Sequence, residues 1–334
     1  MLPAVIRRRY SITQSFFVRI FKFASGAMTS TTPAHQAATV ALSNKPMWGI
    51  ALLVLAMWTL SGLDATGKWV MSVGVPLLLL SWMRYAVHVL LVLAVVVPWK
   101  GRQVLRSQHP TMQIVRGMAM LSGTLFFFTT LSYLPQAEAT AINFLAPMIV
   151  LSLSPWLLGE PPRRSSWIAA VVAFFGVLIV IRPSGGLDPV GVMFGLLTAA
   201  SMSIQFIATR KLAGDSPFTT LIWGGVVGTM CTTLVLPIFG PGLVQAVEAM
   251  QWQQWLLLCL AGVFGCLGHL LQIGAYKYAA ASMLAPFLYL QIISATAVGW
   301  LLWGDFPDAL TWLGIFIICI SGAGIGWMEW KRSR

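Results

Sequence analysis

The chain has 334 residues, of which 58% are hydrophobic and only 9% charged; its mean hydropathy is +0.82 and its net charge +12. Soluble domains carry about 25% charged residues, so the composition excludes a soluble fold and points to an integral membrane protein. The basic residues are spread over short segments between apolar runs, which excludes a nucleic-acid surface and matches the positive-inside pattern.

Residues 1–46 contain no Asp or Glu but carry Arg7, Arg8, Arg9, Arg19, Lys22 and Lys45. The stretch "VIRRRYSITQSFFVRIFKF" lacks the uninterrupted apolar core of a signal peptide. A basic cytoplasmic tail is expected here, with Met1 and Met28 both standing as starts. Ten apolar segments follow, each long enough to cross about 30 Å of hydrocarbon as a helix. They cover roughly 47–65, 75–98, 115–134, 137–158, 166–182, 188–209, 219–240, 253–275, 281–303 and 309–328. Taken alternately, the connections place eighteen Lys and Arg on one side and only Lys68 and Arg182 on the other. That asymmetry predicts both termini in the cytoplasm. The four cysteines, Cys231, Cys259, Cys266 and Cys319, lie within apolar runs without metal-ligand spacing. No cofactor or metal is expected.

The chain repeats itself. A shift of 145 residues lays Gly117 on Gly262, Gly123 on Gly268, Tyr133 on Tyr278, Glu160 on Asp305 and Trp167 on Trp312. "DATGK" (64–68) returns as "IATRK" (207–211) at a shift of 143. Five spans per half is an odd number, so the halves are expected to be inverted relative to each other, the plan of many secondary transporters. The domains are therefore the tail (1–46), a first five-helix repeat (47–185) and a second (186–330).

Over residues 47–330 the chain resembles the drug/metabolite transporter superfamily, in its EamA-type branch. The resemblance rests on "LPQAEATAINFLAPMIVLSLSPWLLGE" (134–160), "SSWIAAVVAFFGVLIVIRPSG" (165–185) and the second copy "AAASMLAPFLYLQIISATAVGWLLWGDFPDALTWLGIFII" (279–318). The second copy departs from the first in having Asp305 for the glutamate and Ile292 in place of Pro147. The resemblance implies an all-α membrane protein of ten transmembrane helices in two inverted repeats, acting as a secondary transporter of a small metabolite in the inner membrane. The "AEATAINFLAP" stretch is similar to members linked to riboflavin and to S-adenosylmethionine. Export of amino acids or drug-like metabolites is the alternative, and homodimerisation is left open. An integral membrane enzyme acting on lipid is the competing class, but no HExxH, Asp-rich or His/Asp cluster supports it; nor is there a Walker A motif.

Helical spacing sorts the polar residues into stripes, which face a neighbouring helix or water because lipid cannot satisfy them. Thr198, Ser201 and Gln205 form one stripe, here read as lining a cavity. Gly265, His269, Gln272 and Tyr276 form a second, Thr140, Asn143 and Pro147 a third, and Trp58, Ser61, Asp64 and Lys68 a fourth. Ser282, Pro286 and Tyr289 align, with Gln291 nearby. Lys68 and Lys211 read as headgroup anchors, Glu160 and Asp305 as architectural. The Gly-rich faces 262–268 and 322–326 read as close helix contacts. Asp64 and Glu138 sit near the outer ends of their spans. The strongest signal is "SWMRYAVHVLL" (81–91), which sets Arg84, with His88 one turn later, deep within an apolar run. An arginine at a helix centre costs about 2.5–3.5 kcal/mol on insertion scales, so the fold must offset it. The expected substrate-binding set is Asp64, Arg84, His88, Glu138, Asn143, Gln205, His269, Gln272, Tyr289 and Gln291.

Overall fold

A computed structural model describes residues 46–157, 164–182, 186–212, 214–278, 287–288 and 290–332. Within them the helices are α1 (Pro46–Ser72), α2 (Leu77–Lys100), α3 (Pro110–Tyr133), α4 (Gln136–Asn143), α5 (Leu145–Leu157), α6 (Arg164–Ile181), α7 (Pro189–Lys211), α8 (Pro217–Val235), α9 (Gly240–Glu248), α10 (Trp252–Tyr278), α11 (Leu290–Trp303) and α12 (Ala309–Arg332). Among the described residues six of these, α1, α2, α3, α7, α8 and α10, are long and apolar enough to cross a membrane. Shorter apolar stretches lie in α6, α11 and α12. The protein is a multi-pass membrane protein.

Local sequence sets the boundaries. α3, α7 and α8 begin with proline in the first turn, where a missing N–H costs nothing. Asp188 caps α7 by accepting from the Val190 and Gly191 amides at 2.8 and 3.3 Å. Gly101, at φ +80°, ends α2 with its N–H on the Val97 carbonyl at 2.8 Å.

The observed elements differ from the expected spans in three places. The first span runs on to Ser72, because Asp64 is buried and Lys68 is paired and neither ends the helix. The fourth span breaks at Phe144 (φ −68°, ψ 0°) into α4 and α5. Pro147 lies four residues after Asn143 and has no N–H for its carbonyl, which interrupts the helical ladder at this point. An additional short helix, α9, lies between the seventh and eighth spans.

The principal contacts are α1 with α10, α3 with α7, α6 with α12, and α2 with α8. α2 also packs on α10, α3 on α8, α5 on α7, and α1 on α11. Small residues permit these approaches. A Cβ on Gly262 would stand 2.4 Å from the Val87 Cβ, and one on Gly268 2.7 Å from the Leu60 Cδ2. The Gly262–Gly268 face is thus the close contact expected of it, against α2 and α1. Gly324, in the other Gly-rich face, has nothing within 4 Å of its would-be Cβ.

Polar clamps tie the ends of the helices together. At one end Asp215, in the α7–α8 connection, accepts from Ser107 Oγ, from the Gln108 amide at 2.9 Å and from Gln113 Nε2 at 3.0 Å. Burial pushes the Asp215 carboxyl up, but those three donors, with His109 nearby, outweigh it and hold it below the ordinary aspartate range. At the other end Lys68 pairs with Asp305 at 3.2 Å and sits 4.7 Å over the Trp303 ring. Lys68 therefore ties α1 to the α11–α12 connection instead of serving only as a headgroup anchor. Arg182 donates to Asp308 and, at 3.1 Å, to Thr311 Oγ1, while Asp308 also accepts the Thr311 amide at 2.9 Å. These donors, Arg182 foremost, hold the Asp308 carboxyl below its usual range.

Candidate functional site

Arg84 lies seven residues past the start of α2, about 10 Å along the helix at ~1.5 Å per residue. It is 8% exposed. Its Nη1 donates to Thr124 Oγ1 of α3. Thr124 in turn donates to the Met120 carbonyl at 2.8 Å, and the Tyr85 hydroxyl lies 2.7 Å from Thr124 Oγ1 and donates to the Met120 carbonyl at 3.1 Å. The guanidinium carbon sits 5.1 Å from the Tyr85 ring centroid. One arm of the fork is therefore anchored and one face rests on an aromatic ring. The other N–H groups have no hydrogen-bond partner among the described residues.

Around it stand the polar groups of α1 and α10. Asp64 is 7% exposed, within electrostatic range of Arg84, yet forms no salt bridge with it. Both groups are nine-tenths buried. A Cβ on Gly265 would stand 3.4 Å from Arg84 Nε, so α10 presents bare backbone to the guanidinium. The His88 and His269 rings are 6.3 Å apart, both within electrostatic range of Arg84. Their Nε2 atoms are buried without a partner, and Gln272 hydrogen-bonds His269. Unsatisfied buried nitrogens are costly, and here both lie within electrostatic range of Arg84.

Five of the expected residues, Asp64, Arg84, His88, His269 and Gln272, thus converge. Tyr85, Thr124 and Arg116 belong with them and were not anticipated. Arg116, on α3, donates to Thr209 Oγ1 at 2.8 Å and to the Thr220 carbonyl at 3.2 Å, and its charge reaches His88 and His269. Its place among the alternating basic residues hid it.

The rest lie elsewhere. Gln205 is half-buried on α7, and its carbonyl accepts from Thr209 at 2.7 Å. Asn143 donates to Met202 Sδ at 3.2 Å, leaving its Oδ1 unpartnered. Gln291 is half-buried on α11, and Tyr289 lies outside the described residues. Glu138 is 7% exposed in the first turn of α4, near Lys68, Asp305 and Asp308. Thr198 bonds back to its own helix, and Ser201 receives Ser122 Oγ at 3.2 Å. This stripe packs against α3, so its upper part is a helix contact and not a cavity wall. Ser201→Trp is accordingly expected to lower the amount of folded protein, because overpacking costs about 1–3 kcal/mol or more. Quantitative blotting of membranes tests this, and normal abundance would contradict it.

Elsewhere a groove of about 240 Å³ is lined by Gly62, Trp69, Leu257, Phe264, Val298 and Leu302, with no ionisable group in its lining.

A family model described as the EamA-like transporter family matches the chain twice, over residues 47–182 and 189–327. A pseudopaline exporter of Pseudomonas aeruginosa is 27% identical, covering 82% of this chain and 95% of its own. A riboflavin transporter of Vibrio cholerae is 26% identical, covering 88% and 98% respectively. A solved crystal structure is similar at a TM-score of 0.60 with 20% identity, over 86% of this chain and 98% of the other, a likeness of fold alone.

Proposed function

Because this chain belongs to the EamA-like transporter family, we propose that it is a secondary transporter that moves a small metabolite across the bacterial inner membrane by alternating access. The site lies between α1, α2, α3 and α10. The observation that carries this reading is the Arg84 fork, anchored at one arm on Thr124, with the buried Asp64 within its electrostatic range. A planar fork with free donors suits a carboxylate, an imide or another carbonyl-rich planar group, which it binds bidentately. Asp64 and the two histidines add acceptors within electrostatic range of the fork. Riboflavin, with its planar carbonyl-bearing ring, is the first compound to try, and the relative of that name supports the choice. Export remains the second reading, favoured by the relative named as an exporter.

The architecture behind this reading is a cytoplasmic tail (1–46) and two five-helix repeats (47–185 and 186–330), inverted, with ten spans. α4 and α5 together form the fourth. The contact pattern supports it. Exchanging each span with its counterpart five spans on turns the α1–α10 contact into α3–α7, α2–α10 into α3–α8, and α1–α11 into α5–α7, while α2–α8 and α6–α12 map onto themselves. Tandem matches to one family model support it too. Single cysteines at Gln108 and Gln251, both exposed, are expected to label from the cytoplasm and from outside respectively. The reverse pattern would overturn the orientation. Gln136, another outer-end residue, is fully buried and donates to the Ser61 carbonyl at 3.0 Å, so it reports nothing.

Purified protein titrated with riboflavin, nucleosides and carboxylate-bearing metabolites in a thermal-shift assay tests the site. A ligand that binds the folded state raises the melting temperature by mass action. Stabilisation in the parent and its loss in Arg84→Ala is the expected result; equal stabilisation in both would remove Arg84 from the site.

A further inference from the structure

A second buried acid lies apart from the Arg84 group. Glu138 is nine-tenths buried in the first turn of α4. Its Oε2 is buried and has no partner. Neighbouring polar atoms share that condition: Gln136 Oε1 and Thr140 Oγ1 on α4, and Thr296 Oγ1 on α11. A packed helix junction ordinarily satisfies such atoms, and each one left open costs free energy.

The charges around Glu138 are few. Lys68 comes from α1, Asp305 and Asp308 from the α11–α12 connection, and all three act on it electrostatically. Arg182, at the end of α6, is affected by Glu138 in turn. Tyr133, ending α3, and Asp188, capping α7, are further titratable groups on elements that pack against α4, and neither is among the charges acting on it. Lys68 pairs with Asp305 and Arg182 with Asp308. Both cations are therefore already matched. Glu138 is the fifth charge of the group and the one with no counter-ion of its own, so its ionised form leaves one net negative charge in a nearly dry junction. Binding one proton at Oε2 removes that charge and turns an unpartnered acceptor into a donor.

We propose that Glu138 is the proton-binding site that couples transport to the proton gradient, distinct from the substrate site around Arg84; the proposal rests on the reading of the chain as a secondary transporter. The proton is taken from water at the outer end of the helices, and an O–H bond forms at Oε2. The two ion pairs flanking it join the halves of the chain, Lys68 to Asp305 and Arg182 to Asp308, so neutralising Glu138 changes the electrostatics of the junction that opens and closes that end. This is the linkage a coupled carrier needs: the same group must be felt by both halves.

Two arms test it. In membranes, dicyclohexylcarbodiimide adds to protonated carboxyls in apolar surroundings. Mass spectrometry is expected to find the adduct on Glu138, falling at least about tenfold between pH 6 and pH 9, and absent in Glu138→Gln. No adduct on Glu138, or one independent of pH, would overturn the proposal. In proteoliposomes with riboflavin as probe, Glu138→Gln is expected to lose accumulation driven by a pH gradient while keeping equilibrium exchange, and Glu138→Asp to keep both. Gradient-driven accumulation by Glu138→Gln at the parent level, or loss of exchange together with accumulation, would equally overturn it. Should the parent protein not carry riboflavin, that result falls on the proposed substrate, and the labelling arm alone decides the role of Glu138.

Discussion

Arg84→Ala is expected to abolish transport while the protein still reaches the membrane in near-normal amount. The residue is buried on α2 with one arm of its fork on Thr124 and the rest unclaimed among the described residues. A charged hydrogen bond contributes about 1.5–3 kcal/mol, so loss of even one such bond to the ligand weakens binding by about 10- to 150-fold. Abundance is spared for a related reason. Removing an arginine from this depth also removes an insertion cost of about 2.5–3.5 kcal/mol, which offsets the lost Thr124 contact. Arg84→Lys is expected to recover only part of the activity, since an ammonium supplies a point charge without the planar fork. His88→Ala is expected to be milder, because its ring lies within electrostatic range of Arg84 without anchoring it. Uptake or efflux in reconstituted vesicles, normalised to protein by blotting, reads all three. Normal transport by Arg84→Ala would remove the residue from the site. Disappearance of the variant from the membrane would instead make the arginine structural, and Asp64→Asn would then be the change to try for rescue, since Asp64 is the carboxylate within its electrostatic range.

Much of this site was legible before any coordinates. Arg84 and His88 stood out because a charge in an apolar run has few reasons to be there, and His269 with Gln272 stood out as a stripe on α10. What spacing along one helix cannot reveal is which stripes face each other. Thr198 and Ser201 look as functional as His269, yet Ser201 meets Ser122 and Gly123 of α3 in a packed contact and Thr198 bonds back to its own helix. Tyr85 and Thr124 carry no signal of their own, since a Thr in a span and a Tyr beside an arginine are both ordinary; only the pairing of α2 with α3 joins them. Arg116 was masked by a real regularity, the excess of basic residues on one side. The break between α4 and α5 was written in Pro147, but an apolar run of normal span length drew attention away from it. The repeat carried information of another kind. The region of span seven that corresponds to Arg84, "LIWGGVVGTMC", has glycines where α2 has its charge. In the fold those glycines pack directly on α2: a Cβ on Gly225 would stand 2.8 Å from Val89 Cγ2, and one on Gly228 2.6 Å from the Tyr85 ring.

That last contact yields the second large effect. Gly228→Ala would press its methyl group against three atoms of the Tyr85 ring, at 2.6–2.8 Å. The ring is fully buried, and its hydroxyl is held by Thr124 and the Met120 carbonyl. It therefore cannot tilt away without giving up the bonds that also seat Arg84. Overpacking of this kind costs about 1–3 kcal/mol, and the guanidinium that rests over the ring shifts with it. Gly228→Ala is expected to lower both the melting temperature and the affinity for any ligand that stabilises the parent protein. A double variant separates the two effects. Tyr85→Ala alone opens a cavity and costs stability, but in the Gly228→Ala background it also removes the clash. The two changes are thus expected to be non-additive in stability, by at least about 1 kcal/mol in the favourable direction. Affinity is not expected to recover, because Arg84 has lost the ring beneath it and Thr124 has lost its neighbour. Strict additivity in thermal or denaturant unfolding would show that Gly228 does not bear on Tyr85. Recovery of full affinity in the double variant would show that the aromatic floor is dispensable and that Thr124 alone positions the fork.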